Sequence, residues 1–265
     1  IRLSLVGSEM CIRDRPGAMT FLDDTASVNH GVDLPVNRVE LAAFIDLMVT
    51  SPERTADEVR DVVARADEWG LNACYVPSSC VPQPQAQVPV GALVNYPWGT
   101  DCSLAKAFAA RLAVDQGASE ICAVSHLGTI EAGDWNALMA DMVTVREAVP
   151  SPVILQFVVD TRYLLTLPDG AERLARCCRI AATVGVDMVV ASTGLHMAGG
   201  ASPKSAQLVP AVQIMAETVG GKLGIKAMGG VDSAECALAA MAAGATQLGC
   251  TETEVEAVLA GMPAL

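Results

Sequence analysis

Short, almost wholly apolar runs alternate with longer stretches in which apolar residues recur at helical spacing, and no linker interrupts the alternation. The runs at 40–46, 71–76, 90–95, 120–125, 152–159, 187–191 and 246–248, with one ending at Lys226, read as buried strands. Helix starts fall between them. Thr55-x-x-Glu58 and Thr251-x-x-Glu254 have capping-box spacing, and Asp134 and Asp169 stand where N-caps belong. Asp232, with Glu235 three residues on, is predicted to open the helix after Gly229-Gly230, and Ser202-Pro203 to open the one before it. Gly70, Gly117 and Gly185 close helices. The connection at 77–89, rich in Pro, Gln and Ser, is predicted to hold no full helix.

Eight strands alternating with helices predict an α/β fold, a single closed parallel (β/α)8 barrel of the TIM type over residues 39–265. An open doubly wound sheet is the alternative, but G-x-G-x-x-G opening a helix after the first strand is absent. Residues 1–18 stand apart. The run from Ile1 to Arg15 resembles translated sequencing-adapter DNA, so the native start is expected at Met19, with 19–38 as an irregular arm.

Hydrophobic residues make up 52% of the chain, which is ample for one large core, yet no apolar run is long enough to cross a bilayer. The net charge of −13 argues against nucleic acid and anionic membranes as partners. Nine cysteines show neither C-x-x-C pairs nor zinc-ligand spacing. Scattered free thiols suit a reducing cytoplasm, which is the expected location.

Barrel enzymes carry their reactive groups at the C-terminal ends of strands. Reading those ends gives Asp46, Asn95, Cys122, His126, Asp160, Ser192-Thr193-Gly194, Lys226 with Gly229-Gly230, and Gly249. Of the four lysines, Lys106 and Lys204 fall on predicted helices and Lys222 at the far end of its strand. Only Lys226 is then placed for Schiff-base chemistry with a carbonyl. Cys122 and His126 share a strand face but lie about 13 Å apart along it, too far for a direct pair. His196 follows the sixth strand, and a metal held by His126, His196 and Asp160 is a minor alternative to no metal at all.

Several segments carry a family resemblance: Ile45-Asp46, Tyr96-Pro97-Trp98-Gly99, Gly117-Ala118-Ser119-Glu120-Ile121, Gly133-Asp134-Trp135, Asp160-Thr161, Gly185-Val186-Asp187, Ser192-Thr193-Gly194 and Gly224-Ile225-Lys226-Ala227-x-Gly229-Gly230. Together they resemble the deoxyribose-phosphate aldolase family over most of the domain. The resemblance implies reversible aldol cleavage of 2-deoxyribose 5-phosphate to glyceraldehyde 3-phosphate and acetaldehyde, with no cofactor. It implies a Schiff-base lysine two residues before Ser-Thr-Gly, a second lysine that lowers its pKa, and a proton-transferring aspartate on the fourth strand. Lys226 falls on the second lysine, but Val190 stands at the Schiff-base position and Cys122 at the aspartate. Gln156 replaces a further lysine often present on the fifth strand. The glycine turns for phosphate survive as Gly229-Gly230 and Gly249, while Asp232 takes a position where the family commonly has arginine and Thr251-Glu252 replace a serine run.

These departures set the expectation: a divergent lyase or other carbonyl enzyme with weak or no ordinary aldolase activity. Lys226, Asp46, Cys122 and Asp160 are the catalytic candidates. Ser192, Thr193, Gly194, Gly229, Gly230, Gly249, His126 and His196 would surround a small sugar or aldehyde. The alternative is a non-catalytic metabolite-binding pseudoenzyme. A homo-oligomer is compatible with either.

Overall fold

A computed structural model of the protein describes residues 34–195 and 205–264. The adapter-like leader, most of the proposed arm, His196, Ser202-Pro203 and Lys204 lie outside the described residues. Eight parallel strands close into a barrel in chain order. They are β1 (Ile45–Met48), β2 (Ala73–Pro77), β3 (Val90–Val94), β4 (Glu120–Val124), β5 (Ile154–Val158), β6 (Met188–Val190), β7 (Gly224–Met228) and β8 (Gln247–Cys250), and β8 pairs with β1 to complete the circle. The helices are α1 (Arg38–Ala42), α2 (Ala56–Glu68), α3 (Ser103–Asp115), α4 (Leu127–Glu131), α5 (Trp135–Ala148), α6 (Thr161–Leu164), α7 (Gly170–Val184), α8 (Ser205–Val219), α9 (Ala234–Ala242) and α10 (Glu252–Ala260). The predicted α/β barrel is the observed fold.

Local chemistry explains most helix ends. Thr55–Glu58 and Thr251–Glu254 form capping boxes, and the Asp134 side chain accepts from the Ala137 amide at 3.0 Å. Between β2 and β3 only one 3₁₀ turn forms, at Ser78–Cys80, as the Pro-rich composition predicts.

Four details differ from expectation. Residues 38–42 are a helix, capped by Asn37, so β1 starts at Ile45 and Asp46 is its second residue rather than its last. Lys226 is likewise mid-strand, because β7 runs two residues further, to Met228, before Gly229 turns the chain at φ 85°. Ser233, not Asp232, caps α9 by accepting from the Cys236 amide at 3.2 Å. Asp169 sits at the N-cap of α7 without capping it, because its carboxylate accepts from Arg173 Nε at 2.8 Å.

Strand alternation divides the core in two. Outward residues such as Leu47, Val76, Ile121, Phe157, Val189 and Ile225 pack against the helices. Inward residues form a separate cluster of Met48, Ala73, Tyr75, Leu93, Cys122, Val124, Val158, Val190 and Met228. Lys106 is on α3 as predicted, but it is buried. Its ammonium donates to the Val124 carbonyl at 3.0 Å and to Asp141 of α5 at 2.8 Å, tying both helices to the end of β4.

Candidate functional site

The barrel interior carries charge at its middle and apolar side chains at its mouth. Lys226 Nζ lies 2.6 Å from Asp46 Oδ2, and both side chains are fully buried. The contact is an ion pair by distance only, since neither atom has an aligned hydrogen-bond partner among the described residues. Asp46 Oδ1 accepts from Asn72 Nδ2 at 2.7 Å. The Lys226 ammonium also stands 3.9 Å from the centroid of the Tyr75 ring, a cation–π contact. The Tyr75 hydroxyl donates to Glu120 in a short contact, while Gln156 Nε2 donates to the Tyr75 oxygen at 2.6 Å and to Glu120 at 3.0 Å.

Burial pushes the Asp46 carboxyl above the ordinary carboxylate range, Lys226 opposes that rise, and the Glu120 carboxylate adds to it. Burial, reinforced by Glu120, also pushes the Tyr75 phenol well up, so it stays a neutral donor.

Over this polar middle close the inward residues at the strand ends: Met48, Val124, Val158, Val190 and Met228, with Leu93 and Tyr96. Val190 points into the barrel, in register between Val158 of β5 and Lys226 of β7. Cys122 shares the cluster, and burial pushes its thiol up to about 11. Lys226, Asp46 and Cys122 therefore share the barrel interior, sealed from solvent rather than lining an open mouth.

A second group gathers at the mouth itself. Asp160 follows β5 with a left-handed φ of 54°, and its Oδ1 accepts from Ser192 Oγ at 3.0 Å. The Ser192 oxygen in turn accepts from the Gly194 amide at 3.2 Å, and the Thr193 carbonyl accepts from Tyr96 OH at 2.7 Å. Gly194 and Gly229 meet backbone to backbone: a Cβ on either would come within 2.9 Å of the other, so both turns require glycine. Gly230 is buried at the same turn, with φ 155°. Gly249 is a corrected case. It lies inside β8, where it makes room for Met228, and not in the loop beyond. His126 caps α4, its Nδ1 accepting from the Thr129 amide at 3.1 Å.

Ser125, Asp160 and Thr193 face a cleft of about 20 Å³ beside Pro97, Trp98 and Leu127, room for little more than a water. The Ser125 hydroxyl is buried there without a hydrogen-bond partner among the described residues. A larger groove, about 360 Å³, lies at the opposite end of the barrel between the Pro82–Pro89 connection and Gln116-Gly117. Its lining residues include no titratable side chain.

Around the glycine turns, Asp232 is exposed, whereas Glu252 is drawn into ion pairs with Arg54 and Arg65. Sequence reasoning missed the interior set of Asn72, Tyr75 and Glu120. A tyrosine and a glutamate in apolar runs carry no local signal; only the barrel register brings Glu120 on β4 to Tyr75 on β2.

No family model matches the chain. Individual relatives do. It is 43% identical over 226 residues to a deoxyribose-phosphate aldolase of Nocardia farcinica, covering 85% of this chain and 96% of the relative. It is 44% identical over 228 residues to the aldolase of that name from Mycolicibacterium paratuberculosis, covering 85% and 98%. Among solved structures, it superposes on the deoxyribose phosphate aldolase from Aeropyrum pernix, described as a unique tetrameric structure, with a TM-score of 0.72 at 22% identity over 86% of this chain and 93% of the other. An aldolase called QR15 superposes with the same TM-score over 83% and 94%, also at 22% identity. The conserved length, the barrel and the curated relatives together place this chain in the deoxyribose-phosphate aldolase family.

Proposed function

We propose that this member binds a small sugar or carbonyl compound at the barrel mouth and does not perform Schiff-base aldol cleavage. One observation carries the reading: the inward side chain at the position where the resemblance puts the imine-forming lysine is Val190, and the remaining lysine, Lys226, is fully buried. An isopropyl group has no lone pair to attack a carbonyl. Lys226 has one only when deprotonated, and its ammonium lies against the Asp46 carboxylate and the Tyr75 ring. Among the described residues its side chain is fully buried, with the inward Val190 paired beside it on β6. The interior pair then acts as a structural centre, and ligand recognition falls to Ser125, Asp160, Ser192 and Thr193.

Phosphate is held weakly in this reading. The glycine turns supply amides, but Asp232 stands exposed beside them and would repel a dianion.

A second reading keeps catalysis without an imine. Asp160, strained into the left-handed region and oriented by Ser192, is a candidate acid–base group of a divergent lyase.

Borohydride reduction in the presence of acetaldehyde separates these from ordinary aldolase action. The expected outcome is no adduct by intact mass and no cleavage of 2-deoxyribose 5-phosphate. An adduct mapped to Lys226 would overturn the proposal. A thermal-shift screen of free and phosphorylated sugars and aldehydes then tests binding, since a ligand of the folded state raises the melting temperature. Turnover of a screened ligand that is lost in Asp160→Asn would favour the second reading.

A further inference from the structure

Ser125, the first residue after β4, is 3% exposed, and its hydroxyl faces the small cleft at the barrel mouth without a hydrogen-bond partner among the described residues. Buried hydroxyls in folded proteins are bonded, so such a group marks a place where a bound molecule supplies the partner. Asp160 and Thr193 face the same space. Its other walls are apolar, from Val124, Leu127, Ile130 and Val159.

The cleft is pre-formed. The turn after β3 is clipped at its base, where Asn95 Nδ2 donates to Asp101 Oδ2 at 2.6 Å and Asn95 Oδ1 accepts from the Asp101 amide at 2.9 Å. Tyr96 OH fastens this turn to the Thr193 carbonyl. Gly99, at φ 67°, packs so tightly on the end of β4 that a Cβ would come within 2.3 Å of the Ser125 carbonyl oxygen. The turn thereby holds Trp98 at the rim of the cleft, 62% exposed.

We propose that the mouth takes an uncharged ligand with a terminal hydroxyl on a flat apolar body: the hydroxyl enters the cleft between Ser125 and Asp160, and the body stacks on Trp98. The inference rests on the reading above and narrows it from sugars to hydroxyl-bearing carbonyl compounds of low polarity. A hydroxyl both donates and accepts, so it serves a carboxylate and a serine hydroxyl together. A carbonyl oxygen only accepts, and offers the carboxylate nothing. A phosphate overfills a water-sized space and is repelled by Asp160. An ammonium brings three donors, one of which the apolar walls would leave unpaired. The body is apolar because the floor of the mouth is, with Val124, Val158, Val190 and Met228 beside Tyr96. The exposed indole of Trp98 adds a flat face to that floor.

Titration of the full chain with four fragments, followed by NMR chemical shifts, is the test. Benzyl alcohol, toluene, benzylamine and benzyl phosphate share one ring, differ in the group offered to the cleft, and lack a carbonyl that could react at Lys226. Benzyl alcohol is expected to bind about three- to tenfold more tightly than toluene, the worth of one hydrogen bond, and more tightly than the amine or the phosphate. Ser125→Ala should abolish the preference for the alcohol while leaving the urea midpoint of the unliganded protein unchanged or higher. Trp98→Ala should weaken the alcohol and toluene by a similar factor. Equal binding of alcohol and toluene, no binding of any fragment, or tightest binding of the amine or the phosphate overturns the proposal. So does a preference that survives Ser125→Ala, or a lowered midpoint in that variant, which would assign the hydroxyl to the fold. The reading above fails separately: it stands if sugars bind without a Lys226 adduct, and such an adduct removes it whatever these titrations give.

Discussion

At the scale of single residues, the central feature is a lysine that holds the barrel together from inside. Removing one partner of a buried ion pair leaves an uncompensated charge, which costs about 3–5 kcal/mol. Lys226→Met should therefore unfold at markedly lower urea concentration at neutral pH. The pH dependence has a definite sign. Asp46 is already raised by burial with Lys226 opposing, so loss of the lysine raises it further. A carboxyl raised in the folded state contributes stability that is present below its unfolded value, near 3.8, and lost as pH rises through the folded value. The deficit of Lys226→Met should shrink as urea titrations are carried from neutral pH towards pH 4; a constant deficit would mean that Asp46 is not the charge left behind. Thiols test burial independently. Cys122 is held up near 11, and Cys74, Cys177 and Cys178 near 12, by desolvation. Among the described cysteines, only exposed Cys102 and half-buried Cys80 should react with a thiol reagent at neutral pH before denaturation, as peptide mapping would show.

At the scale of elements, the strands fit one another through glycines that face inward. Gly91 on β3 lies against the Tyr75 ring of β2, and a Cβ there would collide with it. The ring in turn carries Lys226 on its face and Glu120 on its hydroxyl. Gly91→Ala should thus cost about 1–3 kcal/mol by overpacking. It should be partly rescued by Tyr75→Leu, and denaturation of the double variant measures the coupling. Helix boundaries follow local chemistry at Thr55, Asp134 and Thr251, where side-chain spacing and geometry agree. They depart from it at α9, where Asp232 and Ser233 are both acceptable caps and the serine makes the capping bond.

At the scale of the whole molecule, the proposed function rests on Val190 and Cys122 holding inward positions of the barrel. Replacing Val190 by lysine and Cys122 by aspartate would put an amine and a carboxylate back on inward positions of adjacent interior rows. If the mouth still admits a small aldehyde, Val190→Lys/Cys122→Asp should trap acetaldehyde covalently under borohydride. The single Val190→Lys should be poorly stable, since it buries a second ammonium near Lys226 without a new partner. Absence of trapping in a well-folded double variant would mean that the mouth itself has been remodelled.

The sequence by itself determined the barrel, because eight apolar runs with helix starts between them permit few closed arrangements. It also put Asp46 and Lys226 in the same cavity. Tertiary structure alone decided that this cavity is shut. Whether an inward residue reaches solvent depends on how far each strand continues beyond it and on which side chains from neighbouring strands close over it. Both are fixed by register and barrel shear, which are contacts between residues far apart in the chain. Contacts far apart in the chain likewise tie α3 to the barrel, where Lys106 meets Asp141 and the Val124 carbonyl.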